Sequence, residues 1–191
     1  MIAGIVLAAG LARRMGRQKL LLDLRGKAVL RWSVERVLPH VEDVVVVTGA
    51  DDTAVREALA GLAVRFAVNP RPQDGQGSSI AVGVAALKPW TRAVLIALGD
   101  QPRLPASVVP ALLDAFHEDR KAIVAPVYRG VQGTPVLFAL DVFPELRALT
   151  GDGGARAVVN ANPGRVTRVA IDAPMPPDVD TPEDYARLHV E

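Results

Sequence analysis

Four short hydrophobic runs, at residues 2–8, 44–48, 64–68 and 93–98, constrain this chain more than any other feature. Each is apolar almost without interruption, which is the pattern of a strand covered on both faces and therefore of a parallel sheet. Residues 122–126, 136–138 and 166–171 are further strand candidates. Helical patterns lie between them. Val29, Trp32, Val37 and Leu38 form a stripe before Pro39, Asp52 or Thr53 can cap a helix through Leu59, and residues 79–87 are Ala-rich. Pro105 is placed to open a helix with Val108, Leu112 and Phe116 on one face, leaving Asp114, Asp119 and Arg120 more exposed. Residues 154–160 read as a shorter helix, and Thr181-Pro182-Glu183-Asp184 as an N-cap with Pro and acids in the first turn. This alternation implies a three-layer α/β/α, Rossmann-like domain with a mostly parallel sheet, whose strand C-termini line one ligand-binding edge. No repeat, linker or heptad divides the chain, so one domain over residues 1–191 is expected.

Composition narrows the function classes. The 22 Lys and Arg nearly balance the 21 Asp and Glu, so the whole surface is not a footprint for nucleic acid or an anionic membrane. Cys is absent, which excludes disulfides, thiolate zinc sites and a cysteine nucleophile. The apolar N-terminus lacks a basic leader and runs straight into Arg13 and Arg14, and no apolar run approaches the roughly 20 residues of a spanning helix. A cytoplasmic protein with no nucleic-acid or membrane partner is expected.

Chemistry-bearing residues begin after the first strand, in Leu7-Ala8-Ala9-Gly10-Leu11-Ala12-Arg13-Arg14-Met15-Gly16-Arg17-Gln18-Lys19. Gly10 and Gly16 permit a tight path beside a ligand, while Arg14 and Lys19 offer positive charge to phosphate oxygens. The spacing is neither that of a P-loop nor that of a dinucleotide fingerprint. Further on, Asp100 in Gly99-Asp100-Gln101-Pro102 stands at the end of a buried strand. A carboxylate there suits a hard divalent cation, or caps its own turn. The three His residues make no metal motif, and Trp32 and Trp90 read as anchors at the edge of the core.

Three ordered segments, LAAGxxxRMGxxK, GDQP and DxDTPED, together resemble the MobA-like nucleotidyltransferase family, and most closely its molybdenum cofactor cytidylyltransferase (MocA-like) branch. The resemblance implies a magnesium-dependent transfer of CMP from CTP to the phosphate of molybdenum-bearing molybdopterin, releasing pyrophosphate. It implies that Leu7, Ala8, Ala9, Gly10, Arg14 and Lys19 meet the nucleotide, with Arg14 and Lys19 on phosphate charge. Asp100 and Asp180 become the Mg²⁺ ligands, Asp178 a lesser candidate, and Gln101 and Pro102 shape the acceptor side. The loop with Gly75, Gly77, Ser78 and Ser79 looks like the family's base and sugar contact, although either Ser can be a plain helix cap. Ala9 gives the LAAG form of the cytidylyl branch, where the guanylyl branch has LAGG.

Two departures stand out. Ala12 replaces the usual small hydroxyl residue after Gly10, and Thr134 replaces the His of a GHPVLF segment near the acceptor phosphate. Thr donates a hydrogen bond but does not titrate near neutral pH, so no imidazole-assisted step is available at that position. Arg156, in a segment resembling TGDxGAR, can face a pterin phosphate or be an exposed residue at a helix start. Transfer of GMP or another nucleotide, and non-catalytic nucleotide or cofactor binding with handover to a molybdoenzyme or other recipient protein, remain the alternatives.

Overall fold

The computed structural model describes residues 1–10, 18–119 and 121–190. Arg14, with the rest of residues 11–17, and Arg120 lie outside the described residues. The elements in order are β1 (Ile2–Ala8), β2 (Asp23–Leu24), β3 (Lys27–Ala28), α1 (Val29–Val37), β4 (Asp43–Thr48), α2 (Thr53–Ala58), β5 (Arg65–Val68) and α3 (Gln76–Ala85). There follow β6 (Ala93–Leu98), α4 (Val108–Asp119), β7 (Ile123–Tyr128), β8 (Val131–Gln132), β9 (Val136–Ala139), α5 (Phe143–Arg147), α6 (Gly154–Ala161), β10 (Val166–Ile171) and α7 (Pro182–Val190).

Among the described residues the main sheet runs β10-β7-β9-β6-β1-β4-β5, with β8 paired to β7. Pairings of β1 with β4 and β6, β4 with β5, and β7 with β10 are parallel. β9 is antiparallel to both β6 and β7. The sheet is thus mostly parallel, as the apolar runs imply, with one reversed strand inserted. Pro126, in β7, falls between the stretch that pairs with β9, at Ile123 and Val124, and the stretch that pairs with β8, at Val127 and Tyr128. A residue without an N–H is tolerated there.

Side chains alternate across the strands, because successive Cβ atoms leave opposite faces. Val6, Val44, Val46, Leu95 and Val124 pack with Leu30 and Val34 of α1, Val55 of α2 and Leu112 of α4. Ile5, Val45, Val47, Val94, Ile96 and Phe138 pack on the other face with Ile80 of α3, Leu146 of α5 and Val158 of α6. These are the three layers. A smaller cluster joins Leu22, Leu24 and Val29 to Val179 and Leu188, and so ties the β2–β3 hairpin to α7 and the segment before it.

Several local expectations need correction. The Ala-rich helix starts at Gln76, three residues before Ser79, and α4 starts at Val108, three residues after Pro105. Asp52 occupies the N-cap position of α2, but its carboxylate takes Thr48 Oγ1 and Arg56 instead of a helix amide. Trp90 is 62% exposed and anchors no core, whereas Trp32 is half-buried and donates from Nε1 to Leu24 O at 2.8 Å. Among the described residues no helix is long and apolar enough to cross a membrane.

Candidate active site

β1 lies between β4 and β6, so the chain passes to one side of β1 and then to the other. Such a reversal opens a crevice at the strand C-termini. Leu7 sits opposite Leu98, and Gly99 N donates to Leu7 O at 2.9 Å. This contact requires glycine: a Cβ at Gly99 would lie 2.7 Å from Leu7 O and 2.8 Å from Leu30 Cδ1. Ser33 Oγ of α1 donates to Gly99 O at 3.0 Å. The next residue, Asp100, is therefore held at the mouth of the crevice.

The second acidic segment arrives from the far end of the chain. Val179 is completely buried in the small hydrophobic cluster, and its N–H donates to Asp100 O at 3.1 Å. In an extended segment alternate side chains face opposite ways, so burying Val179 turns both Asp178 and Asp180 toward the crevice, which both line. Thr181 and Asp184 then start α7 as a reciprocal capping pair: Thr181 N donates to Asp184 Oδ2 at 2.9 Å, and Asp184 N to Thr181 Oγ1 at 3.2 Å.

Between the two acids stands Lys19. Its Nζ is 2.6 Å from Asp100 Oδ2 and 2.7 Å from Asp180 Oδ1, while neighbouring Leu20 anchors the backbone in the core. Burial on its own would lower the pKa of this ammonium, but Asp100 and then Asp180 outweigh it and hold the pKa above the ordinary lysine value. The sequence places Lys19 on phosphate charge; with the site free of ligand it rests instead on the two expected metal-binding carboxylates.

Around this triad is a cleft of about 440 Å³, lined among others by Ala9, Gly10, Gly75, Gln76, Ser79 and Asp152. Gly75 has φ +90°, and a Cβ there would lie 2.3 Å from Gly151 C, so the loop turns tightly against the segment before α6. A second cavity of about 250 Å³ holds Gln101, Thr134 and Arg156 with apolar Ile80, Ile96 and Val136. Leu7, Gln76, Leu98 and Asp178 line both cavities, so the two meet at the acidic residues.

Polar contacts sort the remaining candidates. Thr134 Oγ1 donates to Gln101 Oε1 at 2.7 Å, which turns the amide so that Gln101 Nε2 donates to Asp178 Oδ1 at 2.8 Å. Burial, and secondarily the charge of Asp100, raises the Asp178 carboxyl pKa. Ser79 lines the cleft and accepts from Asn69 Nδ2 at 3.0 Å. Ser78 instead donates to Gly75 O at 2.8 Å, and Gly77 packs where a Cβ would lie 2.8 Å from Thr150 N. Neither lines the cleft. Ala8 is buried in the core, and Pro102 lines a different cavity on the other side of its loop; neither belongs to the crevice where sequence reading put it. Gln76, Asp152 and Asn69 were not singled out by sequence reading, since no motif marks them and only the packing of the loop after β5 on the segment before α6 brings them in.

Residues 4–166 match the MobA-like NTP transferase domain. The chain belongs to that family. Curated relatives of this MobA-like chain include the purine catabolism protein PucB of Bacillus subtilis, 30% identical over 96% of this chain and 94% of its own length. The nicotine blue oxidoreductase of Paenarthrobacter nicotinovorans is 32% identical over 98% and 96%. A molybdenum cofactor guanylyltransferase of Shewanella putrefaciens is 30% identical over 76% and 71%. Among solved structures, Rv0371c of Mycobacterium tuberculosis aligns with a TM-score of 0.88 at 30% identity, covering 100% of this chain and 98% of that one. The same protein in complex with manganese aligns at 0.81 and 30% identity, over 98% and 97%. The three-layer MobA-like fold and membership of a nucleotidyltransferase family are therefore settled together.

Proposed function

We propose that this nucleotidyltransferase is magnesium-dependent and moves CMP from CTP to the phosphate of molybdenum-bearing molybdopterin, with residues 1–191 acting as one unit. The observation that carries this reading is the convergence of Asp100 and Asp180 on the Lys19 ammonium, at the seam between two cavities. Two substrates that must exchange a phosphoryl group need two pockets and one charged junction.

The carboxylates fit a divalent cation, since one cationic group already sits within hydrogen-bond reach of both. Among the described residues no group of three or more His, Cys, Asp or Glu is arranged to hold a metal. Two carboxylates completed by phosphate oxygens and water suit Mg²⁺, which keeps part of its hydration. The manganese complex of Rv0371c supports a divalent site in a relative. When bound, the cation would supply charge stabilisation at the transferring phosphorus. Asp100 and Asp180 would hold it; Lys19, and Arg14 from the first loop, would bind phosphate oxygens and stabilise departing pyrophosphate. Gly10, Ala9, Gly75 and Ser79 would position the nucleotide. Gln101, Thr134 and Arg156 would orient the acceptor, so that its phosphate oxygen attacks the α-phosphorus as the bond to the β-phosphate oxygen breaks. No protein nucleophile enters this scheme.

The LAAG form at Ala9 supports CTP, while the Shewanella relative keeps GMP transfer as the second reading. The experiment is pyrophosphate release from CTP and from GTP with molybdenum-bearing molybdopterin and Mg²⁺. CTP-selective, acceptor-dependent release is expected. GTP-selective release would establish the second reading, and no release with either nucleotide from folded protein would turn attention to another acceptor or to binding and handover to a recipient molybdoenzyme.

A further inference from the structure

A third cavity, of about 270 Å³, lies on the other side of the loop that presents Asp100 and Gln101 and shares no lining residue with the cleft or the acceptor cavity. Pro102 and Arg103 enter its wall directly from that loop, Arg36 and Trp32 come from α1, and Arg25 comes from the β2–β3 turn. Its lining includes three arginines and no Asp or Glu among the described residues. Elsewhere on the described surface, arginines such as Arg31, Arg56, Arg65 and Arg165 are matched with carboxylates. Unmatched guanidinium groups around one concavity set up a local positive potential on a chain whose formal net charge is only +1.

Arg36 carries a second mark. Its Nε is buried and has no hydrogen-bond partner among the described residues, an arrangement that costs free energy unless nearby charge offsets it. Arg25 holds φ +55° in the hairpin turn, a backbone state uncommon for a side chain of this size. Leu24 and Leu188, both buried, supply apolar wall, and the half-buried Trp32 adds an aromatic one. Guanidinium forks match phosphate geometry, and an indole with aliphatic neighbours accepts a carbon skeleton.

From this arrangement we infer that the cavity is a second anion site, for a small phosphomonoester whose phosphate meets Arg25 and Arg36 and whose organic part lies against Trp32. It is separate from the nucleotide cleft. Because Ser33 of the same helix holds Gly99 O, occupancy bears on the loop that carries Asp100.

The test uses the intact chain with Trp90→Phe, which leaves Trp32 as the sole tryptophan. Phenyl phosphate and inorganic phosphate are titrated while Trp32 fluorescence is followed. Saturation by phenyl phosphate, about fivefold tighter than inorganic phosphate because of the added apolar burial, is expected. Affinity should fall about tenfold or more in Arg36→Gln and in Arg25→Gln and be unchanged in Lys19→Ala. Arg25 lies in an exposed turn, so its variant keeps the test usable should Arg36→Gln fold poorly. Four results would each overturn the site: no saturation up to about 10 mM, an affinity beyond which binding has no meaning here; equal binding in a folded arginine variant; loss in Lys19→Ala, which would place the ligand in the nucleotide cleft; or equal affinity for the two probes, which would reduce it to a general anion contact. None of these outcomes depends on the assigned transfer reaction.

Discussion

Lys19 Nζ stands 2.7 Å from Asp180 Oδ1, although the two residues are 161 positions apart. The same ammonium meets Asp100, so one positive charge neutralises two converging carboxylates while no ligand is bound. A divalent cation that uses those oxygens must therefore displace the ammonium. Lys19→Met should bind Mn²⁺ about tenfold more tightly than the parent in the absence of nucleotide, because the competing charge is gone. Electron paramagnetic resonance of free Mn²⁺ measures this directly. An unchanged affinity would show that the metal does not share the lysine's position.

Asp100→Asn and Asp180→Asn should act in the opposite sense. Each removes one charged ligand while keeping shape, so Mn²⁺ affinity should fall and magnesium-dependent turnover should drop by about a hundredfold or more. A magnesium titration of pyrophosphate release separates weakened metal binding from a lost reaction. Near-parental turnover at every magnesium level in either variant would remove that residue from the ligand set.

Val179 tests whether packing aims the acids. Its side chain is fully buried, and its neighbours on either side both face the cleft. Val179→Ala should cost about 1.5–2 kcal/mol, the worth of two buried methyl groups with incomplete collapse. If the buried valine is the pivot, metal affinity should fall as well, even though no liganding atom has changed. Urea denaturation reads the first effect and the Mn²⁺ titration the second; a stability loss with parental metal affinity would show that Asp180 is positioned by the α7 cap alone.

How far the sequence reveals this arrangement depends on whether the signal is local. Buried parallel strands advertise themselves, since both faces must be apolar, and residues 2–8 and 93–98 coincide with β1 and β6. Strand direction has no such signal: the apolar Val136–Ala139 looks the same either way, and only the structure shows it reversed. The β2–β3 hairpin is too short for periodicity to register. Motif spacing identified Lys19, Asp100 and Asp180, which the fold brings together. It misplaced Pro102 and Ala8, because a residue adjacent to a site residue points the other way. Asp152 and Asn69 stay invisible until loops distant in sequence pack.

Ala9 lines the cleft and is the residue that distinguishes LAAG from LAGG. Ala9→Gly removes a methyl group beside the nucleotide, so a selector role predicts a shift toward GTP of about tenfold, the usual worth of one methyl in a fitted pocket. The ratio of kcat/KM for CTP and GTP gives the answer. An unaltered ratio would place base selection elsewhere, with the loop containing Gly75 and Ser79 the next candidate.

Acid stability depends on a pair remote from the site. Asp43, at the start of β4, has a side chain only 7% exposed and takes Arg65 Nη2 at 2.5 Å and Lys88 Nζ at 3.2 Å. The hydrogen bond from Arg65, partly opposed by burial, holds the Asp43 carboxyl below its ordinary pKa of 3.8. A carboxyl whose folded pKa is depressed binds protons more readily when unfolded, so its stabilisation is complete above the unfolded value and is lost as pH falls through the folded one. Asp43→Asn should therefore cost about 1–2 kcal/mol near neutral pH, with solvent at the half-exposed Arg65 limiting the figure. Below about pH 3 the parent's Asp43 is itself becoming protonated, and the difference between the two proteins should shrink. Thermal melts of both across pH 2.5–7, a window chosen about the ordinary carboxyl range, test this. A gap that stays constant to the acid end would assign the loss to packing around β4 and β5, with the charge of Asp43 contributing nothing.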